Sequence, residues 1–221
     1  NKGESIIIGG SDLSSDMHCL IAGINNQLKA PIDYYPLTSA QLTSMNDFSL
    51  LCNKMAKGLI NNLIILGGNP AYDAPADYKF KESIKKVKST VHLSNIYDET
   101  SKLCEWNIAQ AHFFETWGDA MTYDGFASII QPQIRPLFDS KSAIQVLSSI
   151  IYSQDKSSYD TVKNVWKNNI VKGANFERKW EKILHDGLHS KPLLKSVKVR
   201  NQKKVSTSAL SKVGTLESNK F

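Results

Sequence analysis

Apolar and polar positions follow two periodicities along the first 110 residues. Short apolar runs of strand length are separated by longer segments whose apolar residues recur every three or four positions. The first helix is predicted to begin after Ser11 or Ser14, the second is predicted to be capped by Asp47, and short helices are expected over 78–87 and from Asp98. The runs predict five strands, at residues 5–8, 32–35, 63–66, 89–93 and 106–109.

This alternation of strands and helices predicts an α/β fold. It is typical of a Rossmann-like, mostly parallel sheet with helices on both faces. Three runs contain almost no polar residue, so we expect them to be strands buried on both faces; they are Ile6–Ile8, Leu63–Leu66 and Val91–Leu93. No GxGxxG motif follows the first run, which excludes the usual dinucleotide fingerprint.

The pattern changes after His112. Residues 112–136 are rich in aromatic residues, Gly and Pro, and predict a long ordered loop in which Trp117 packs against the domain or a partner. Amphipathic helices are predicted over 142–152, 159–166 and 176–184. We therefore expect an α/β domain at 1–150, a helical extension of the same domain at 151–190, and a basic linker or extended arm at 191–221.

Charge is concentrated in that last region. The whole chain carries +6, but residues 191–221 hold eight basic residues against Glu217, a net +7, which leaves −1 for residues 1–190. The tail has no aromatic residue before Phe221 to stack on bases, so we expect no nucleic-acid partner and poor packing of the tail in isolation.

No apolar run approaches the roughly 20 residues that a membrane-spanning helix needs, so no direct membrane span is predicted. The chain opens with Asn1-Lys2-Gly3-Glu4 and shows neither a signal peptide nor an initiator Met. We expect a fragment of a longer polypeptide, or a processed chain.

The strongest candidate for a binding site is the segment LIILGGNPAYDAP at residues 63–75. The apolar run predicts a buried strand, and Gly67 and Gly68 allow a sharp turn at its end. Asn69 favours a left-handed conformation or a bond to its own backbone, and Pro70 fixes the exit from the turn. Ligands of parallel sheets bind outside such carboxyl ends. The alternative is a turn that only connects a strand to a helix.

Other chemistry-bearing residues are dispersed, and we predict no catalytic residue and no metal site. His185 and His189 have the spacing of two metal ligands on one helix face, but Gly187 between them favours a frayed helix end. The carboxylates of the aromatic loop favour caps and backbone hydrogen bonds over an acid cluster for catalysis; they are Glu115, Asp119 and Asp124. The three cysteines, Cys19, Cys52 and Cys104, show no disulfide, zinc or iron–sulfur pattern.

Four short motifs, in this order, resemble the molybdopterin oxidoreductase large-subunit family: GGNP (67–70), DET (98–100), CEWNIA (104–109) and ETWG (115–118). Further segments are similar to one branch, the molybdopterin-like domain of the iron–sulfur subunit of bacterial alternative complex III, a quinol:electron acceptor oxidoreductase. These segments are ETWGD (115–119), YDG (123–125) and SIIQPQIRP (128–136). The resemblance covers roughly residues 3–150.

The resemblance implies that the GGNP turn contacts the nucleotide end of a pterin dinucleotide. The cofactor-binding residues by position are Gly67, Gly68, Asn69, Pro70, Glu99 and Thr100. It also implies a respiratory electron-transfer complex on the periplasmic side of the bacterial cytoplasmic membrane. The expected partners are then other domains of the parent polypeptide and subunits of that membrane-bound complex.

Departures from the family pattern suggest that these contacts are vestigial. Cys104-Glu105 stands where the family has Ala-Asp, Ile108-Ala109 where it has Leu-Pro, and Phe126 where an arginine is usual. No cysteine cluster for an iron–sulfur centre is present in the chain. The resemblance thus implies a structural scaffold without bound pterin, part of an oxidoreductase but alone not catalytic. The alternative is a catalytic domain that binds part of a molybdopterin guanine dinucleotide.

Overall fold

The computed structural model describes residues 2–36 and 44–198. These residues form two compact units, one made of residues 2–36 with 194–198 and the other of residues 44–193. The helices are α1 Ser15–Leu28, α2 Met45–Ala56, α3 Pro70–Asp73, α4 Phe80–Ile84, α5 Ala143–Tyr152, α6 Ser158–Val165 and α7 Phe176–Asp186. The strands are β1 Asn62–Leu66, β2 Ser89–Ser94, β3 Trp106–Ala109, β4 Gly118–Met121 and β5 Ala127–Ile130.

The fold is mixed α/β and consistent with the Rossmann-like prediction. β1, β2 and β3 form a parallel sheet in that order, with Leu63 opposite Thr90 and Leu93 opposite Ile108. One face packs on α2, α3 and α4 around a core cluster. Its buried members are Cys52, Met55, Ala71, Phe80, Ile84 and Val87. Helix α5 lines a cavity of about 580 Å³ over the other face.

A second core in the same unit lies under an antiparallel hairpin of β4 and β5. Trp166 and Trp180 are its largest buried side chains, at 0% and 2% exposure. The hairpin packs there on α6, on a π-helical turn at Trp166–Ile170, and on α7. Its turn closes at Gly125, which has a φ of +89° and donates its N–H to Thr122 O at 2.9 Å. The sequence pattern indicated only a loop here, so the hairpin is a correction to that prediction.

The predicted first strand is wrong. Residues 6–8 have no regular secondary structure, and Ile8 is 81% exposed. The side chain of buried Asn25 in α1 takes the place of a neighbouring strand: it accepts a hydrogen bond from Ile7 N at 2.9 Å and donates one to Ile7 O at 2.8 Å. A β-branched run favours extended backbone, but it becomes a strand only where another strand pairs with it.

Two smaller predictions also need correction. The expected strand at 32–35 is reduced to a single bridge between Tyr34 and Val197, within the first unit. Helix α2 is capped by Ser44 rather than by Asp47, because Asp47 is the third residue of a capping box whose Ser44 hydroxyl accepts from Asp47 N.

Strands β1, β2 and β3 lie where the sequence predicts them, but the two-sided burial of β1 is wrong. Leu63 and Ile65 pack against the first core, whereas Ile64 and Leu66 on the opposite face are 41% and 39% exposed. The apolar run was therefore a correct signal for the strand and an incorrect one for its burial. At the other end of the chain, residues 191–193 contact the hairpin, since Leu193 N donates to Gly125 O at 2.7 Å. Residues 199–221 of the predicted basic arm lie outside the described residues.

Candidate functional site

The Gly-Gly-Asn-Pro turn leaves the sheet directly at the carboxyl end of β1. Gly67 N donates the last ladder bond to Leu93 O at 2.8 Å, and the chain then reverses through two residues with a φ of +72°, Gly67 and Gly68. Such values favour glycine because it has no Cβ. Pro70 follows as the first residue of α3, where its missing N–H costs nothing. The predicted sharp turn is confirmed.

Asn69 joins this turn to the loop that follows β2. Its Oδ1 accepts from Thr100 Oγ1 at 2.7 Å and from Thr100 N at 3.2 Å, and its Nδ2 donates to Glu99 Oε2 at 2.7 Å. With a φ of −131° it is neither left-handed nor bonded to its own backbone, in contrast to the prediction. Residues 30 positions apart in sequence are thus held together by one amide.

Thr100 completes the connection from the buried side. It is fully buried, and its Oγ1 accepts from Ala71 N at 3.0 Å while donating to Asn69. Ala71 is itself only 5% exposed, so its N–H would have no water to bond to if the hydroxyl were absent. The hydroxyl of Thr100 therefore bridges the start of α3 and the amide of Asn69.

Glu99 places a negative charge beside the turn. The hydrogen bond from the Asn69 amide, followed by a bond from its own backbone N–H, lowers the pKa of the Glu99 carboxyl below its usual value. The side chain is solvent-exposed. At neutral pH the residue is an ionised carboxylate at the rim of the turn, which suits hydroxyl and amine donors of a ligand and repels phosphate.

A buried histidine supports the turn from below, and the sequence pattern did not identify it. His92 lies in β2 with 0% exposure, its Nε2 3.1 Å from Gly68 O and its Nδ1 2.9 Å from Ser101 Oγ. Because a carbonyl oxygen only accepts, the proton of this bond is carried by Nε2, which donates to Gly68 O. The available signal was a histidine between Val91 and Leu93, in a run expected to be buried.

The turn offers two backbone donors, and a cleft lined by none of the six predicted residues opens near it. In the part of the chain that the structure describes, the N–H groups of Gly68 and Asn69 make no hydrogen bond. A cleft of about 270 Å³ opens at the carboxyl ends of β2 and β3, bordered by His92, Ser101 and Asn107. All six residues predicted as cofactor contacts therefore come together, although their binding role stays a prediction.

The carboxylates of the aromatic loop serve the structure of the loop. Glu115 accepts from Leu137 N at 3.1 Å and from His112 N at 2.9 Å, and these bonds lower the pKa of its carboxyl, the first of them most. Asp119 accepts from the indole N–H of Trp166 at 2.8 Å, and Asp124 accepts from the hydroxyl of Thr122. Each carboxylate has its own partner, as expected for capping residues.

The aromatic residues of the loop divide into anchored and exposed groups. Trp117 is half-buried against the second core and meets Tyr159 edge-to-face, with ring centroids 4.8 Å apart, which confirms that it packs against the domain. The exposed group contains Tyr123, Phe113 and Phe114, which are 81%, 56% and 47% exposed.

His185 and His189 do not lie on one helix face, and the helix ends between them at Gly187, as predicted. Helix α7 ends at Asp186, with Gly187 in a left-handed cap, so His189 is outside the helix. His185 Nδ1 lies 2.9 Å from Asp186 Oδ1, and His189 Nδ1 lies 2.7 Å from Lys191 O. Within residues 2–36 and 44–198 no three side chains of His, Cys, Asp or Glu are grouped as metal ligands, and no helix there is both long and apolar enough to cross a membrane.

Comparison with known proteins adds no family to this description, since neither a protein-family model nor a curated protein matches the chain.

Proposed function

We propose that the chain is part of a molybdopterin oxidoreductase-like subunit of a bacterial respiratory electron-transfer complex, acting on the periplasmic side of the membrane. In this proposal the domain is a structural scaffold that holds no pterin. It contributes packing surfaces to other domains of the parent polypeptide and to other subunits. The proposal begins from the resemblance of residues 3–150 to the large-subunit family and is supported by three features of the fold.

The observation that carries the proposal is a concentration of exposed apolar side chains in the loop region 112–138. Tyr123, Leu137 and Phe138 are 81%, 70% and 79% exposed, and Phe113 and Ile134 are 56% and 46% exposed. Exposed apolar area of this kind marks surfaces that a partner covers. Gln133 N and Ile134 N donate hydrogen bonds to Phe114 O at 2.7 and 3.0 Å. These bonds connect the two ends of the segment and give its exposed surface a defined conformation.

The parallel sheet supports the same conclusion. It has three strands in the described part of the chain, and β1 and β3 are both at its edges. Parallel sheets are normally larger and covered on both faces. The outward face of β1 leaves Ile64 41% exposed, and Trp106 at the start of β3 is 63% exposed. An incomplete sheet with apolar edges fits a module that is completed by further chain or by a neighbouring subunit.

The geometry of the turn favours the vestigial interpretation over cofactor binding. Every polar atom of the Asn69 side chain is used by Glu99 and Thr100, so the side chain has little left for a ligand. The remaining donors are the backbone N–H groups of Gly68 and Asn69 and the second hydrogen of Asn69 Nδ2, next to the ionised Glu99. Net hydrogen bonds of about 0.5–1.5 kcal/mol each do not hold a large anionic cofactor beside a carboxylate.

The alternative is a catalytic domain that binds part of a molybdopterin guanine dinucleotide. It is favoured by the two unpaired N–H groups of the turn and by the cleft at the carboxyl ends of β2 and β3. In that case Gly67, Gly68, Asn69, Pro70, Glu99 and Thr100 hold the nucleotide end of the cofactor.

Metal and pterin analysis separates the two. The chain is expressed in a host that makes the cofactor, and the purified protein is analysed for molybdenum, tungsten and iron by elemental spectroscopy and for oxidised pterin by fluorescence. We expect each to be far below one equivalent. Stoichiometric pterin with a metal, lost in the variant Asn69→Ala and kept in the surface control Lys81→Ala, would instead establish the catalytic alternative.

The scaffold role itself is tested by photo-crosslinking in the cells from which the sequence comes. A photoreactive residue at Phe138 is expected to form adducts with subunits of a respiratory complex, identified by mass spectrometry. The matched control at Lys85, an exposed residue beyond the end of α4, is expected to form none. If Phe138 and Lys85 crosslink alike, or if the adducts contain no respiratory subunit, the proposal fails.

A further inference from the structure

We propose that a basic pocket at the carboxyl end of α7 binds the phosphate group of a phosphorylated ligand. The pocket lies wholly within residues 171–191, has a volume of about 270 Å³, and is distinct from the Gly-Gly-Asn-Pro turn. Its polar lining is formed chiefly by Lys172, Lys179, Lys182, His189 and Lys191, with Asp186 as the one carboxylate. This inference does not depend on the proposed scaffold role.

The charges of the pocket are unbalanced. Four lysines line it, and in the described chain none of the four lies within ion-pair distance of a carboxylate. Asp186 already has a partner outside the set, because its Oδ1 is 2.9 Å from His185 Nδ1. Cations that line one small cavity repel one another, and a bound anion removes that repulsion. A multiply charged oxyanion matches this excess of positive charge better than a single carboxylate does.

Two of the lysines are held in place by backbone carbonyls. Lys179 Nζ donates to Lys172 O at 2.8 Å, and Lys172 Nζ donates to Asn168 O at 3.1 Å. Each ammonium has three donors, so both keep donors for a ligand. The ammoniums of Lys182 and Lys191 make no hydrogen bond in residues 2–36 and 44–198 and are free to close on an anion. The pocket thus combines two cations that are hydrogen-bonded to backbone carbonyls with two that are not.

The base of the pocket is apolar. Val171 and Ile183 are buried, at 5% and 6% exposure, and belong to the second core. An apolar base lowers the local dielectric and strengthens the attraction between ammonium and phosphate. At about 270 Å³ the cavity takes a phosphate or a pyrophosphate group and is below the usual size for a whole cofactor. We therefore assign it to a phosphate group carried either by a small molecule or by a phospholipid.

The test is isothermal titration calorimetry of the full chain with inorganic pyrophosphate. The informative variant is Lys182→Gln with Lys191→Gln, since neither ammonium has a structural bond that the change would break. The matched control is Lys81→Gln with Lys85→Gln on and beside α4, which removes the same charge from exposed positions of the same unit. The basic residues after Lys191 are identical in both, so binding by the tail cancels in the comparison.

We expect saturable binding with one equivalent of pyrophosphate, weakened at least tenfold in the pocket variant and changed less than twofold in the control. This is the loss of two charge-assisted contacts, each worth roughly three- to tenfold in a half-open site, and so roughly tenfold or more together. Equal weakening in both variants, or the absence of saturable binding to any phosphate probe, would overturn the proposal.

Vesicles distinguish the source of the phosphate. Sedimentation is measured with phosphatidylcholine vesicles that contain or lack phosphatidic acid. If the pocket variant alone loses binding to phosphatidic acid, and pyrophosphate competes, a phospholipid headgroup is the ligand. If pyrophosphate binds and the vesicles do not, the ligand is a soluble phosphorylated molecule. If vesicles bind the pocket variant and the control equally and pyrophosphate does not bind, the pocket is not a phosphate site.

Discussion

The hydroxyl of Thr100 provides the most direct test of how the turn is held. Thr100→Val keeps the shape of the side chain and removes the one atom that bonds both Asn69 Oδ1 at 2.7 Å and Ala71 N at 3.0 Å. Thr100 is fully buried and Ala71 nearly so, so water does not replace the lost partner. The first consequence is an unsatisfied N–H at Ala71, and the second is the loss of one of the two bonds that Asn69 Oδ1 accepts from Thr100.

The magnitude follows from these two losses. A buried donor without a partner costs about 1–3 kcal/mol, and the lost bond to Asn69 adds about 0.5–1.5 kcal/mol. The additional buried methyl group returns up to ~0.8 kcal/mol. We therefore expect Thr100→Val to lower the free energy of unfolding by about 1–4 kcal/mol, with a central value near 2.5 kcal/mol. Thr100→Ser, which keeps the hydroxyl and loses one methyl group, should cost about 1 kcal/mol.

Urea denaturation followed by circular dichroism measures both variants, and the loss should appear as a lower midpoint with an unchanged slope. Amide exchange localises the effect: the N–H of Ala71 should lose protection in Thr100→Val and keep it in Thr100→Ser. A loss below about 0.5 kcal/mol for valine, or equal losses for valine and serine, would show that the hydroxyl does not hold the turn.

Three further predictions concern the surroundings of the site. Trp117→Ala should lower the free energy of unfolding in urea by about 2 kcal/mol, which is less than the ~3–5 kcal/mol of a fully buried tryptophan because Trp117 is only half-buried. The control is Trp106→Ala, at a residue that is 63% exposed, and it should cost less than half as much. Gly67→Ala should cost about 1–2 kcal/mol through its φ of +72° alone, since a Cβ there meets nothing closer than Gln110 Oε1 at 3.7 Å; an unchanged unfolding midpoint would contradict this. The hydrogen bonds that lower the pKa of the Glu115 carboxyl stabilise the folded state fully above pH 4.5, which is the ordinary pKa of the group. This stabilisation is lost as the pH falls through the lower pKa of the folded state. The unfolding midpoint of Glu115→Gln should therefore fall less than that of the parent chain between pH 5 and about pH 3, and equal falls would contradict the assignment.

Local chemistry was sufficient to predict much of this protein from its sequence. Apolar runs located β1, β2 and β3, and Ser142 before an amphipathic segment located α5, whose capping box forms as such patterns usually do. The Gly-Gly pair determined a turn that only residues without a Cβ adopt easily. The family resemblance also selected six residues that the fold brings together, although their role awaits the cofactor analysis.

The tertiary structure alone decided which segments found partners. Ile6–Ile8 has strong strand propensity, yet its backbone bonds the side chain of Asn25, because a strand exists only where a neighbour supplies the other half of the ladder. His92 became the support of the turn because parallel pairing placed it under Gly68, 24 positions away in sequence. The basic pocket likewise combines residues before, within and after α7. In the sequence, each of its lysines taken alone is typical of an ordinary solvated surface. Such contacts depend on the path of the chain in space, which periodicity and composition do not contain.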